Sequence, residues 1–349
     1  MAQTLETRGP LGAEVVHHYE SGGGDFIFST GNRFRGARDG EPFAFDAPLG
    51  APKRALSGLR LARRALRIDK GNAVFNRRRD GVAVLYDGRV HFYDLASRRL
   101  VPAGRLRQCR NILHRGIAVT DDGLYFGEYG ANREREAVPV WRSTDDGRSW
   151  RVAYEFPAGS IKHVHGVFVD PHSDRLWLPT GDFAGECYVV EANRDFSEVT
   201  WHGDGTQRWR PVGMFFEPER IVWPMDSQLE TSYLQVFDRA TGTLARHRDF
   251  PGPVWYTKRL DDGVALLQTT VEIGDGVKSD RAHVFASRDL LEWTEVGAWK
   301  KDRWPMRYFK FGVLAFADGA QSSDDFALFG EGLEGIDGRA LRASLRGGA

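Results

Sequence analysis

Seven times along 349 residues, an aromatic or β-branched segment runs into an aspartate, turns, and starts another short strand. The anchors are Phe45-Asp46, Tyr93-Asp94, Ser143-Thr144-Asp145, Asn193-Arg194-Asp195, Phe237-Asp238, Ser287-Arg288-Asp289 and Ile336-Asp337. Their spacings of 48, 51, 50, 43, 51 and 48 residues average 48.5, so seven units fill nearly the whole chain. Self-similarity at such a period marks an array in which each repeat is one supersecondary unit.

Each unit divides into four short strands. In the third they are His114–Thr120, Gly123–Gly127, Val138–Arg142 and Trp150–Phe156; in the fourth, His163–Asp170, Arg175–Pro179, Tyr188–Glu191 and Ser197–His202. The expected fold is therefore all-β, a seven-bladed β-propeller of four-stranded antiparallel blades in one domain spanning residues 1–349, with six blades as the alternative. The propeller itself should cover about residues 12–347, with Val15–Glu20 and Phe26–Ser29 in the blade that holds Phe43–Asp46. A parallel sheet would need a helix between successive strands, and only Ala55–Leu66 could pass for one; that segment also fits a fourth strand of the first unit. The 40 glycines and the heavy load of Phe, Tyr and Trp suit frequent turns and strands.

At the third unit the residues meet a known pattern. Ser143-Thr144-Asp145-Asp146-Gly147-Arg148-Ser149-Trp150 resembles the Asp-box, S-x-D-x-G-x-[ST]-W, of sialidase-like (bacterial neuraminidase repeat, BNR) β-propellers. Ser287-Arg288-Asp289-Leu290-Leu291-Glu292-Trp293 is a degenerate copy, one residue shorter and without the glycine. The segment His163-Val164-His165-Gly166, with Asp170-Pro171, Trp177 and Thr180-Gly181-Asp182, also resembles uncharacterised bacterial members of that group. The resemblance runs over roughly residues 108–300. It implies a propeller in which each box aspartate caps its own turn and Trp150 and Trp293 are largely buried. It also implies a carbohydrate-active or carbohydrate-binding protein. A sialidase-type hydrolase would further need an Arg-Ile-Pro signature ahead of the first box, and none is present.

The 48 basic and 48 acidic residues cancel, although residues 1–110 carry 20 against 11. That excess is too mild for a nucleic-acid footprint but leaves room for an acidic ligand. Cys109 and Cys187 form no metal spacing and no disulfide framework. The start, Met1-Ala2-Gln3-Thr4-Leu5-Glu6, lacks the apolar core of a signal peptide, and no apolar run is long enough to span a bilayer. A soluble, cytoplasmic protein with no nucleic-acid or membrane partner is expected.

In an up-and-down blade the start of strand 1 and the end of strand 2 share one end, and the strand 3–4 turn lies at the other. The first end gathers His114, His163, His165, Arg208, Arg210, Tyr256 and Arg307 from strand starts. Glu128, Tyr129, Asp182, Asp226 and Glu272 come from strand 2 ends, and Arg67 closes the first unit there. His163 and His165 are two apart and face the same way on a strand. In Gln207-Arg208-Trp209-Arg210, alternation puts both arginines on one side, where a guanidinium fork suits a carboxylate, sulfate or phosphate.

The expected function is to act on, or bind, an acidic saccharide at a His/Arg/carboxylate-lined pocket near the propeller axis. The candidate catalytic residues are His114, His163, His165, Glu128, Tyr129 and Asp182. The candidate substrate-binding residues are Arg67, Gln207, Arg208, Arg210, Asp226, Tyr256, Glu272 and Arg307. A lyase needs an Arg or a metal to neutralise a uronate carboxylate and a His or Tyr base to take the α-proton; glycoside hydrolysis is the other chemistry. A non-catalytic glycan- or protein-binding propeller is one alternative. A metal-dependent enzyme is another, with two of His114, His163 and His165 joined by Glu128 or Asp182. No cofactor is expected, because such metal ligands would come from separate blades rather than from one local motif.

Overall fold

Short apolar runs bounded by Gly, Asp and Pro form strands throughout, and the computed structural model describes residues 3–11, 17–20 and 24–347. Seven four-stranded antiparallel sheets follow one another, at 17–46, 71–105, 117–156, 163–205, 215–249, 254–300, and 313–347 with 3–10. They are the blades of a seven-bladed β-propeller and are numbered 1 to 7 in that order. Blade 7 departs from the simple meander. Its fourth strand is Gln3–Pro10, paired antiparallel with Arg339–Gly347, so the N-terminal residues lie inside the fold rather than ahead of its expected start. In blade 1, Glu41–Asp46 is the fourth strand; Val15 and Val16 lie outside the described residues.

Residues 51–66 are the main exception to the β pattern. They form two short helices, Ala51–Leu56 and Arg60–Leu66, between blades 1 and 2. The segment has no β-branched residue and is rich in Ala, Leu and Arg, the better helix formers. The fourth strand it might have supplied is already present.

Five of the seven aspartate anchors sit at the third-to-fourth strand turn: Asp94, Asp145, Asp195, Asp238 and Asp289. The two outer anchors do not. Asp46 ends a fourth strand, and Asp337 lies between the second and third strands of blade 7, which has no third-to-fourth turn because its fourth strand comes from the other end of the chain.

In the fullest turn, Asp145 Oδ1 accepts the Ser149 N–H at 2.8 Å, Ser143 Oγ accepts the Gly147 N–H at 2.8 Å, and Trp150 Nε1 donates to Gly147 O at 3.1 Å. The shorter copy reproduces this. Asp289 Oδ1 accepts the N–H groups of Leu291 and Glu292 at 2.9 and 2.8 Å, and Trp293 Nε1 donates to Leu290 O at 2.9 Å. Leu290 takes the left-handed conformation (φ 66°) that Asp146 takes in the other turn (φ 61°). Trp293 is buried at 4% exposure, as expected. Trp150 is half-buried, tilted against Phe126, so its burial is less complete than that of Trp293.

The described chain falls into two compact units: Phe45–Leu49 with Lys70–Pro211, and Met1–Ala44 with Gly50–Asp69 and Val212–Ala349. The first holds blades 2, 3 and 4. There the second strands Gly81–Tyr86, Leu124–Gly127 and Leu176–Gly181 are buried along their whole length, whereas the fourth strands Arg99–Arg105 and Arg151–Phe156 are, Phe156 apart, exposed or half-buried. Tyr125, Val138, Val140 and Phe156 of blade 3 pack with Val164, Leu176, Leu178 and Val190 of blade 4 in one apolar cluster. That contact fixes the two blades on which the polar site is built.

Candidate functional site

The first strand of blade 4 is broken. His163–Val164 and Phe168–Val169 both pair with Leu176–Gly181; His165 N–H still donates to Pro179 O at 2.8 Å, and residues 166–167 leave the ladder. The register sets His163 opposite Gly181, so Asp182 follows immediately beside the imidazole. Gly181 has φ 140°, and a Cβ there would lie 2.9 Å from Cys187 Sγ and 3.4 Å from Arg210 Cγ. Glycine at this position therefore lets the Arg210 side chain pass close over the strand end. Beyond the fourth strand, Gln207–Trp209 form a 3-10 turn that delivers Arg210. This turn replaces the strand alternation expected for Arg208 and Arg210.

These pieces converge on the Asp182 carboxylate. Oδ1 lies 3.1 Å from His163 Nε2, 3.3 Å from His165 Nε2 and 3.1 Å from an Arg210 terminal nitrogen. Oδ2 is paired with Lys162 Nζ. The Asp182 backbone carbonyl accepts from Gln207 Nε2 at 2.9 Å and from Arg210 at 3.2 Å, while Gln207 Oε1 accepts from Arg210 at 3.1 Å. Burial by itself would raise the Asp182 pKa; positive charge beside it, the Arg210 guanidinium included, outweighs burial and holds the carboxyl far below the usual range.

Both imidazoles are 2% exposed, and each is held from behind by a backbone carbonyl. His163 Nδ1 is 2.8 Å from Gly130 O, and His165 Nδ1 is 2.8 Å from Pro211 O. A carbonyl only accepts, so both Nδ1 atoms carry the proton and both Nε2 atoms face the carboxylate. Burial pushes the His163 pKa down against the pull of Asp182. The half-buried Tyr129 ring lies 4.0 Å from that of His163. On the outer side, Phe183 is 45% exposed, with Lys162 Nζ 5.1 Å from its ring.

The structure thus brings together six of the sequence candidates: Tyr129, His163, His165, Asp182, Gln207 and Arg210. Among the described residues, His163, His165 and Asp182 are also the one group whose ligand atoms could share a metal, all within 4.8 Å of one another. All three come from the first hairpin of blade 4, not from separate blades.

The other candidates are placed differently. Glu128 is 0% exposed, and its oxygens accept the N–H groups of Arg107 and Gln108 and the indole N–H of Trp141, at 2.7, 2.6 and 2.9 Å. It anchors the loop leading from blade 2, where burial and Glu128 also push the Cys109 thiol pKa upward. His114 is half-buried and stands outside the metal-competent group. Arg208 is half-buried in the 3-10 turn.

Arg67, Asp226, Tyr256, Glu272 and Arg307 belong to the other compact unit. There Arg67 is an exposed left-handed residue ending the second helix, Asp226 and Tyr256 are buried, Glu272 is half-buried and Arg307 is exposed. Sequence reasoning missed Lys162 and the carbonyls of Gly130 and Pro211. Lys162, next to His163, was the visible signal, whereas a carbonyl acceptor has no residue signature.

No family model and no curated protein matches the sequence. Solved structures do match. RRP9 WD40 repeats align with TM-score 0.58 and 9% identity, covering 99% of each chain. An oligogalacturonate lyase in complex with manganese aligns with TM-score 0.55 and 10% identity, covering 99% of this chain and 97% of that one. The extracellular domain of BT4673 from B. thetaiotaomicron gives TM-score 0.55 at 8% identity, and the chain spans only 40% of its length. At such identities the likeness shows the propeller fold and nothing finer. No helix among the described residues is long and apolar enough to cross a membrane.

Proposed function

We propose that this chain binds an acidic saccharide at the blade 4 cluster and cleaves it by β-elimination. In such a reaction a base removes the proton α to the uronate carboxylate, and the bond from the β-carbon to the glycosidic oxygen breaks. The electron pair forms a carbon–carbon double bond, and the leaving sugar takes a proton. The catalyst must stabilise negative charge building on the uronate carboxylate, and a preorganised cationic site does this best. With neutral imidazoles, Lys162 and Arg210 against Asp182 leave the cluster with one net positive charge.

The observation that carries the choice is the state of the two carboxylates. Glycoside hydrolysis uses a pair, one as acid and one as base or nucleophile. Here Glu128 is sealed and triply hydrogen-bonded, and Asp182 is tied to Lys162, Arg210 and two imidazoles. Elimination needs no such pair. His163 and His165 are buried, with Nδ1 on a carbonyl and Nε2 turned onto Asp182, so we assign them to holding the site and assign the base to Tyr129, the half-buried group in ring contact with His163. The manganese-bound oligogalacturonate lyase of similar fold is consistent with uronate elimination on this scaffold.

The test is a panel of uronate oligosaccharides beside their neutral counterparts, followed by the ultraviolet absorbance of an unsaturated uronate. Turnover confined to the acidic members and lost in Tyr129→Phe supports the proposal. Binding without product identifies a non-catalytic glycan binder, and neither binding nor product removes the saccharide reading altogether.

A further inference from the structure

Two acceptors face one another at the centre of this cluster. The Nδ1 atoms of His163 and His165 are committed as donors to Gly130 O and Pro211 O, so their Nε2 atoms present lone pairs. Those lone pairs point at Asp182 Oδ1, another acceptor, from 3.1 and 3.3 Å. The two ring centroids lie 5.1 Å apart, with Lys162 and Arg210 held on the same buried carboxylate. One cation shared by both nitrogens and the oxygen satisfies all three acceptors at once.

We propose that His163, His165 and Asp182 hold one divalent metal ion through the two Nε2 atoms and Oδ1. The donor set is two imidazoles and one carboxylate, which suits first-row transition metals and zinc and leaves coordination positions for a ligand. An Nδ1–H bound to a carbonyl is the usual outer support of a metal-ligating histidine, fixing both tautomer and ring orientation, and here both rings have it. Lys162 occupies Oδ2 and leaves Oδ1 to the imidazoles and Arg210. An ion adds positive charge to a site that already holds two cations, so the metal and an acidic ligand should each favour the other. In that role the ion rests on the elimination reading, with the uronate carboxylate taking the open positions; as a metal site it stands alone.

The experiment uses the full chain, stripped with a chelator and titrated with Mn2+ alone, with free ion followed by electron paramagnetic resonance. One ion per chain is expected. His163→Ala and His165→Ala should each weaken binding by on the order of 100-fold or more, since losing even an outer-shell partner costs 10–100-fold. His202→Ala, which removes a ring stacked on Trp177 outside the site, should leave binding unchanged. Should the site variants fail to fold, the wild-type spectrum decides, because nitrogen coupling from two bound imidazoles is expected. Absence of binding at millimolar Mn2+, binding by His163→Ala equal to wild type, or a spectrum with oxygen ligands only would overturn the proposal. Metal binding without uronate turnover would leave this site standing and sink the elimination reading. Turnover indifferent to chelation, with no ion bound, would do the reverse.

Discussion

Asp182 is the residue on which the site depends. It is the shared counter-charge for Lys162 and Arg210, and its backbone carbonyl ties down Gln207. Asp182→Ala removes the partner of an Arg210 side chain that is only 5% exposed. Breaking a buried pair in this way costs about 3–5 kcal/mol, and chemical denaturation should show a loss of that size. A loss below about 1 kcal/mol, the range of exposed pairs, would mean that the cluster is wetter than its burial indicates. The alternation of His163 and His165, and the placing of Asp182 at the end of the second strand, were readable because strand pairing is local and regular. The break at residues 166–167 and the 3-10 turn that aims Arg210 were not, since both depend on contacts outside their own strands.

At the scale of elements, the two tryptophan-bearing turns differ in burial and should differ in energy. Trp293→Ala should cost about 3–5 kcal/mol, the usual range for a buried aromatic; Trp150→Ala, at a half-buried ring, should cost clearly less. Equal losses in the two variants would contradict this difference.

The turn aspartates set a pH dependence as well. Backbone N–H groups of Glu292, Thr241, Ser197 and Ser97 hold the carboxyls of Asp289, Asp238, Asp195 and Asp94 below their ordinary values. For Asp145, burial pushes upward but the Ser149 hydroxyl and N–H win. A folded pKa below the unfolded one, about 3.9, contributes stability that is complete above that value and is lost as pH falls through the folded value. Unfolding midpoints measured from pH 6 down to pH 2 should therefore hold level and then drop at the acid end. Replacing Asp289 by Asn should shallow that drop, and a rise in stability on acidification would contradict the account. Periodic aspartates made the blade count legible, yet Asp46 and Asp337 do different work. They fell into the series because blade spacing is regular enough for neighbouring acids to fit it.

For the whole molecule, the strand count and order followed from the repeat, but the assignment of Gln3–Pro10 to blade 7 did not. Pairing between the two ends of a chain leaves no local pattern in either. Likewise the metal-competent triad was legible as residue types and misread as to origin: it comes from one hairpin, because strand register sets His163 opposite Gly181.

Under the proposed function, the cationic cluster built on this hairpin cleaves an acidic sugar by elimination rather than by hydrolysis. Mass spectrometry of products from a defined uronate oligosaccharide tests it most directly. Elimination gives two fragments whose masses sum to that of the substrate, with an unsaturated sugar at the non-reducing end of one. Fragments that together are heavier by one water would show hydrolysis and contradict the account.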